Sequence, residues 1–226
     1  MTSPRVKRPR ARRKAAGHFH HGDLAEQLAL VAAELLDAKG PDGVTMKAVA
    51  SRLGVTDAAI YRHYAGRDAL LAEVLVRGFG AFVAAHQSAQ EGVGDAFASI
   101  RAYGRTYVRF AMANPGWFRL QFSRAATEGL AQIPGVLARM AGAERARQEL
   151  LVRWRPALPE GDDRVADLYR LVWGTVHGLA QFVVERVFQL VRTDEERVAA
   201  ADVAIDLLVD ALRARRGPPA AESPGP

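Results

Sequence analysis

Two helix starts and a glycine stop crowded into the twenty residues from Thr45 to Tyr64 leave this chain few folds to choose from. Thr45 is placed to cap a helix in which Met46, Val49, Ala50 and Leu53 share one face, and Gly54 supplies the left-handed residue that ends it. Thr56 is placed to cap the next helix at once, with Ile60 and Tyr64 one turn apart on its inner side. Upstream, Leu24, Leu28, Val31 and Leu35 step by four, three and four residues, which predicts a helix from an N-cap at Asp23 to a stop at Gly40-Pro41. Downstream, Gly66 breaks the pattern before a longer helix that begins near Arg67 and Asp68.

From about Asp95 the chain continues as helices, interrupted at Asn114-Pro115-Gly116, at Ile133-Pro134-Gly135 and across Pro156 to Gly161. One closing helix carries Val165, Leu168, Val172, Val176, Leu179, Val183, Val187 and Leu190, and another carries Val198, Ala201, Ile205, Leu208 and Leu212. Their steps of three and four give broad apolar faces, and no alternating strand pattern competes. The expectation is an all-α protein, in which an N-terminal three-helix unit with a helix-turn-helix joins a larger helical body. Residues 1–21 form a basic arm without hydrophobic periodicity, 22–72 the small unit, 73–216 the body, and 217–226 a Pro- and Ala-rich tail, both ends reading as disordered. The long fourth helix carries the boundary.

Charge is concentrated at one end. Arg5, Lys7, Arg8, Arg10, Arg12, Arg13 and Lys14 sit in the first 21 residues without an acid, so a total of +6 leaves the remainder close to neutral. Such an arm attracts polyanions through counterion release, and otherwise is a solvated tail. The absence of cysteine excludes disulfides, thiolate metal sites and cysteine nucleophiles together. His18, His20 and His21 lack a further ligand at defined spacing, so no metal site is expected. No run of eighteen uncharged apolar residues occurs, which points to a cytoplasmic protein without a spanning helix or secretory signal.

A helix-turn-helix needs a short helix, a tight turn and a second helix whose outer face can enter a major groove. Ala50 is small enough for the two helices to cross closely, and Val55 and Ile60 fill the angle between them. With Ile60 and Tyr64 turned inward, Asp57, Ala58, Tyr61 and Arg62 face outward, and Thr56 stands at the helix start. Arg62 is suited to bidentate bonds to guanine, Tyr61 and Thr56 to phosphate oxygens. Thr45 and Arg67 begin the flanking helices, where a hydroxyl or guanidinium and free amides can clamp the backbone. Asp57 either accepts from cytosine or serves only its own helix N-terminus.

The run Thr45-Met-Lys-Ala-Val-Ala-Ser-Arg-Leu-Gly-Val-Thr-Asp-Ala-Ala-Ile-Tyr-Arg-His-Tyr64, followed by Gly66-Arg67-Asp68-Ala69-Leu70-Leu71, resembles the DNA-binding domain of the TetR/AcrR repressors over residues 22 to 72. That family ends the segment in Tyr-x-His-Phe with a Lys opening the next helix; here Tyr61, His63 and Tyr64 keep the pattern and Arg67 replaces the Lys. The resemblance implies an all-helical dimer on double-stranded DNA, with His63 hydrogen-bonding near the DNA backbone; interhelix packing is the other role open to it. Trp173-Gly-Thr-Val-His177-Gly178 resembles the branch whose ligand domain carries a Trp and a His-Gly pair, and Ala113 to Phe122 resembles the segment before its ligand pocket.

Aromatic side chains in the body are numerous enough to line an effector cavity, although most would be core in any helical bundle. Their spacing and the resemblance make Tyr107, Phe110, Phe122, Trp173 and His177 the candidates for binding a small apolar or aromatic effector. For His177, a core position beside Gly178 is the competing reading. No nucleophile elbow, phosphate loop or metal spacing is present, so no catalytic residue and no cofactor is expected. The last two helices offer more apolar surface than one chain needs, which predicts a homodimer built on a four-helix interface. A ligand-responsive repressor released from a palindromic operator is the leading function; an architectural DNA-binding protein and a helical enzyme are the rivals.

Overall fold

A computed structural model describes residues 21–123, 125–187 and 193–216, and within them the chain is all-α with no strand. The basic arm, with His18 and His20, the C-terminal tail and Leu190 lie outside the described residues. The helices are α1 (His21–Lys39), α2 (Met46–Leu53), α3 (Asp57–Tyr61), α4 (Arg67–Ala89), α5 (Ala96–Ala113), α6 (Pro115–Gln121), α7 (Val136–Arg139), α8 (Ala141–Trp154), α9 (Val165–Val184) and α10 (Asp194–Arg216). Helix α1 starts two residues ahead of the expected Asp23 cap. Helix α9 ends at Val184 rather than running on through Leu190, because Arg186 takes a left-handed conformation (φ 55°) and turns the chain, leaving Val187 exposed.

Two apolar cores meet along α4. The first gathers Leu28, Val31, Leu35 and Leu36 of α1, Met46, Val49 and Ala50 of α2, Ile60, and Leu70, Leu71 and Val74 of α4, and it also takes in Leu120, Leu130 and Val136 from the segment after α5. The second lies among α5, α8, α9 and α10, around Tyr103, Tyr107, Trp154, Val172, Val176 and Ile205, and Phe79 packs against both. Because α4 is covered by α1, α5, α6 and α8, its composition is unusually apolar. By length and composition it could cross a bilayer, contrary to the expectation that no helix would. Its charges explain why the scan for uncharged runs passed over it: Glu73 binds both Arg77 and Arg139 at 2.7 Å, and these guanidiniums, Arg139 foremost, hold its carboxyl below the ordinary value.

The small unit is seated on the body through α6. Asp37, at the end of α1, accepts the Gly116 amide at 2.6 Å in the first turn of α6, where free N–H groups favour an anion. Burial nevertheless pushes this carboxyl above its ordinary value. The neighbouring Trp117 indole donates to the Leu75 carbonyl at 3.1 Å, which pins α6 to α4 as well. Gly116 is required by this contact, since a Cβ there would stand 2.5 Å from the Leu36 carbonyl carbon.

Helices α5 and α10 are joined by an antiparallel ladder of ions. Arg101 reaches Asp206 at 2.7 Å and Asp210 at 3.8 Å, Arg105 reaches Asp206 at 2.9 Å and Asp202 at 3.8 Å, and Arg109 reaches Asp202 at 2.6 Å. Beside it, Gly104 admits Ile205 and Val176, whose methyl groups would stand 3.1 Å from a Cβ at that position. Partly exposed pairs like these contribute roughly 0–1 kcal/mol each, so packing at Gly104 dominates the seam.

Replacing Gly116 with Ala is expected to destabilise the protein by about 1–3 kcal/mol, because backbone atoms of Leu36 and Asp37 cannot move aside as a side chain could. Urea unfolding checks this, and an unchanged midpoint would contradict the seating of α6 on α1.

Candidate nucleic-acid interface and effector cavity

The corner made by α2 and α3 follows from its sequence with one exception. The Thr45 hydroxyl accepts the Ala48 amide at 3.1 Å, and Gly54 adopts the left-handed conformation (φ 74°) that carries the chain into α3. Thr56 precedes α3 in extended conformation but its side chain makes no capping bond, so its hydroxyl is uncommitted there. Ile60 is fully buried and the Tyr64 hydroxyl donates to the Ala25 carbonyl at 2.9 Å, which fixes the inner side of the corner against α1. Burial raises the Tyr64 phenol to about 12, so it remains a donor at any physiological pH.

On the outer side Thr56, Asp57, Ala58, Tyr61 and Arg62 are all exposed and contiguous, Tyr61 by 56%. Arg62 forms no ion pair with any described residue, in contrast to Arg52, which is held by Glu34 at 3.1 Å. Thr45 is exposed on the same side, and His63 is half-buried behind α3. Arg67 is placed differently from the sequence expectation of a phosphate clamp. Its Nε donates to the Val44 carbonyl at 2.8 Å and its Nη2 to the Pro41 carbonyl at 2.7 Å, so the guanidinium staples α4 to the turn ahead of α2. A fork of donors can hold two carbonyls at once, which the point charge of a lysine would not do.

A cavity of about 500 Å³ lies in the body between α4, α5, α8 and α9. Tyr107, Phe122 and Trp173 line it, as the sequence suggested. Phe110 and His177 stand behind the wall instead. Phe110 packs edge-on against Phe82 at 5.3 Å and Trp117 at 5.4 Å, filling the gap between α5 and α6. His177 stacks on Trp173 at 5.5 Å and meets the Tyr107 hydroxyl through Nδ1 at 3.1 Å, so it orients two lining residues. Burial lowers the His177 pKa and raises that of Tyr107, which keeps both neutral.

Sequence reasoning passed over much of the wall: Phe79, Phe82 and His86 of α4, Tyr169 of α9 and Arg147 of α8. Phe79, Phe82 and His86 are spaced by three and four residues, a signal that was available but reads equally well as core. His86 is 4% exposed, and its Nδ1 lies 2.9 Å from the Phe82 carbonyl. Burial drops its pKa to about 4, with the Phe82 and Tyr103 backbone offsetting this only in part.

Residues 30–74 match the profile of bacterial regulatory proteins of the tetR family, and residues 100–208 match that of the tetracyclin repressor-like C-terminal domain. Together the two matches span well over half of the sequence, one on each unit of the fold. The chain belongs to the TetR family.

An uncharacterized HTH-type transcriptional regulator of Bacillus subtilis, YobS, is 34% identical over 88 residues, which cover 38% of this chain and 45% of that relative. The chain thus matches less than half the length of this curated relative. Among solved structures, the TetR regulator PfmR of Thermus thermophilus superimposes with a TM-score of 0.61 at 21% identity, covering 80% of this chain and 93% of its own. FadR of Bacillus subtilis in complex with stearoyl-CoA superimposes with a TM-score of 0.64 at 18% identity, covering 81% and 97%. At these identities the structures speak for the two-domain TetR fold alone.

The buried, neutral His86 makes the stability of this TetR-family protein depend on pH. Its proton is bound more readily by the unfolded chain, at an ordinary value near 6.5, than by the folded one at about 4. Stability is therefore complete above about pH 6.5 and lost as pH falls toward 4, by roughly 3 kcal/mol in all. His86→Phe is expected to flatten that part of the profile; equal slopes for both proteins in urea titrations from pH 7 to 4 would contradict the burial of a neutral ring.

Proposed function

We propose that this protein is a homodimeric, sequence-specific DNA-binding transcriptional repressor, cytoplasmic and released from a palindromic operator by a small apolar or aromatic effector. The observation that carries the proposal is the outer face of α3. Tyr61 and Arg62 stand exposed on a corner whose other large side chains are committed to the core, with Arg62 unpaired. A guanidinium in that position suits bidentate contact to guanine, while Thr45, Thr56 and Tyr61 suit phosphate oxygens. His63 is assigned to the DNA backbone, and Arg67 to holding the corner in shape. Asp57 stays with its own helix start, where an acid is favourable. Residues 22–72 form the reading unit and 73–216 the effector-binding and dimerising body.

Dimerisation is supported by a face that differs from the stripes singled out in the sequence. Those stripes are consumed by the core, since Leu168, Val172, Val176, Ala201 and Ile205 are all buried. Leu171 on α9 and Val203 and Leu207 on α10 are exposed by 50%, 61% and 65%, and Gly174 and Gly178 have open space where side chains would be. Two copies pairing α9 and α10 would bury these side chains at backbones free to approach closely. The two reading helices would then meet half-sites about one helical turn apart.

The cavity supports effector control, and the FadR structure holding stearoyl-CoA supports a ligand-binding body of this shape. Trp173 stacked on His177 supports assignment to the branch with the Trp and His-Gly pair. Filling the cavity displaces α4 and α6, which carry the seat of α1, so DNA affinity changes by linkage, typically by about 1–3 kcal/mol.

Selection of bound DNA from a random pool is expected to return a palindrome. Arg62→Ala should weaken binding and relax preference at particular base pairs, by roughly 1–3 kcal/mol for the correct base. Equal losses on all sequences, or no enrichment, would favour an architectural protein instead. Leu207→Glu is expected to convert the dimer to monomer in sedimentation; an unchanged assembly would remove α10 from the interface.

A further inference from the structure

The aromatic cavity has a neighbour. A second hollow of about 400 Å³ opens between the end of α4, the turn into α5 and α8, and the two chambers share His86, Ala146 and Leu150 as lining. Their chemistry differs. The inner chamber is walled by rings, whereas the outer one is edged by Gln87, Gln90, Glu91, Glu149 and Arg153. The outer chamber is also firmly built. Arg153 donates to the Gln90 carbonyl at 3.1 Å, and the buried Ser99 hydroxyl donates to the Gln90 side chain while accepting from the Trp154 indole at 2.9 Å.

His86 stands at the junction with one nitrogen unanswered. A neutral imidazole carries a single ring proton, and a carbonyl can only accept, so the 2.9 Å contact to the Phe82 carbonyl places that proton on Nδ1. Nε2 is then a bare acceptor. It is buried without a hydrogen-bond partner, and the Tyr103 backbone that faces the ring makes no hydrogen bond to it. Phe82 at 4.1 Å and Tyr103 at 4.7 Å hold the ring plane, so the lone pair cannot turn away. An unsatisfied acceptor this deep is costly unless something else supplies the donor.

We propose that the two chambers form one ligand site, occupied by a molecule whose apolar body fills the inner chamber and whose O–H or N–H group donates to Nε2 of His86 at the junction. A polar extension of the same molecule enters the outer chamber, where amide and charged side chains meet it. This rests on the reading of the body as an effector-binding unit and adds the class of effector: a hydroxylated or N–H-bearing apolar molecule, with the keto or ether counterpart rejected. Rejection follows because such a counterpart brings a second lone pair to the one on Nε2. His86 is thus a specificity-determining residue for the ligand.

The test uses two probes of nearly equal shape, 1-naphthol and 1-methoxynaphthalene, titrated into the full chain and followed by tryptophan fluorescence. 1-Naphthol is expected to bind about five- to tenfold more tightly to the native protein, the size of one hydrogen bond to a buried acceptor. In His86→Phe the two affinities should converge, with that of 1-methoxynaphthalene unchanged. Nitrogen NMR of the native protein gives a second readout free of any folding defect: the His86 Nε2 signal should move on adding 1-naphthol and stay in place on adding 1-methoxynaphthalene. Equal binding of both probes to the native protein, or an unmoved Nε2 signal, would overturn the donor proposal while leaving the cavity as an effector site. Saturable binding of neither probe would overturn both.

Discussion

The short bond from the Gly116 amide to the Asp37 carboxylate joins positions 79 residues apart in sequence, and the mutual placement of the two units hangs on it. Helix α1 contributes one whole side of the first core, so whatever fixes the end of α1 fixes the helix-turn-helix that packs on it. Helix α6 contributes Trp117, whose ring meets Phe79 at 5.2 Å and Phe82 at 5.8 Å, and both of these line the cavity. A single carboxylate therefore stands between the cavity wall and the corner that carries Tyr61 and Arg62. Its environment is finely opposed, because burial disfavours its charge while two amides at a helix start favour it.

Much of the corner was legible in the sequence, since local chemistry determines it. Thr45 caps because a hydroxyl at that position meets a free amide three residues on, Gly54 turns because no other residue takes that conformation as cheaply, and Ile60 and Tyr64 point inward by helical period. Arg67 was read as a phosphate ligand for the same local reason, and there the reasoning ran out. The carbonyls of Pro41 and Val44 that take its donors are over twenty residues upstream, and only the packing of α4 beside that turn brings them within reach.

The cavity was legible as a region and not as a wall. Aromatic content marked α5, α6 and α9, yet period alone cannot say whether a ring in a bundle faces a void or a neighbour. Tyr107 and Phe122 face the void, while Phe110 on the same helix as Tyr107 faces Trp117. His86 was invisible for a related reason: inside an apolar stretch of α4 it resembles any satisfied core histidine, and its distinction is the missing partner of one atom. The dimer face shows the opposite error. Apolar period picked out positions that the monomer's own core uses up, and the exposed surplus at Leu171, Val203 and Leu207 lies one step around the same helices.

The ladder between α5 and α10 behaves as an adhesive without a ruler. Arg101 and Arg105 each touch two aspartates one helical turn apart, so the ion pairs of one register and those of the next coexist in a single structure. Sliding α10 by a turn, roughly 5.4 Å, would trade near pairs for far ones and leave the charges almost indifferent. What forbids the slide is the notch at Gly104, which accepts Ile205 and no other residue of α10 at that depth. Helix α10 thus has a vernier: charges hold it against the body over a range of positions, and one missing methyl selects the position at which Leu207 and Val203 are presented outward.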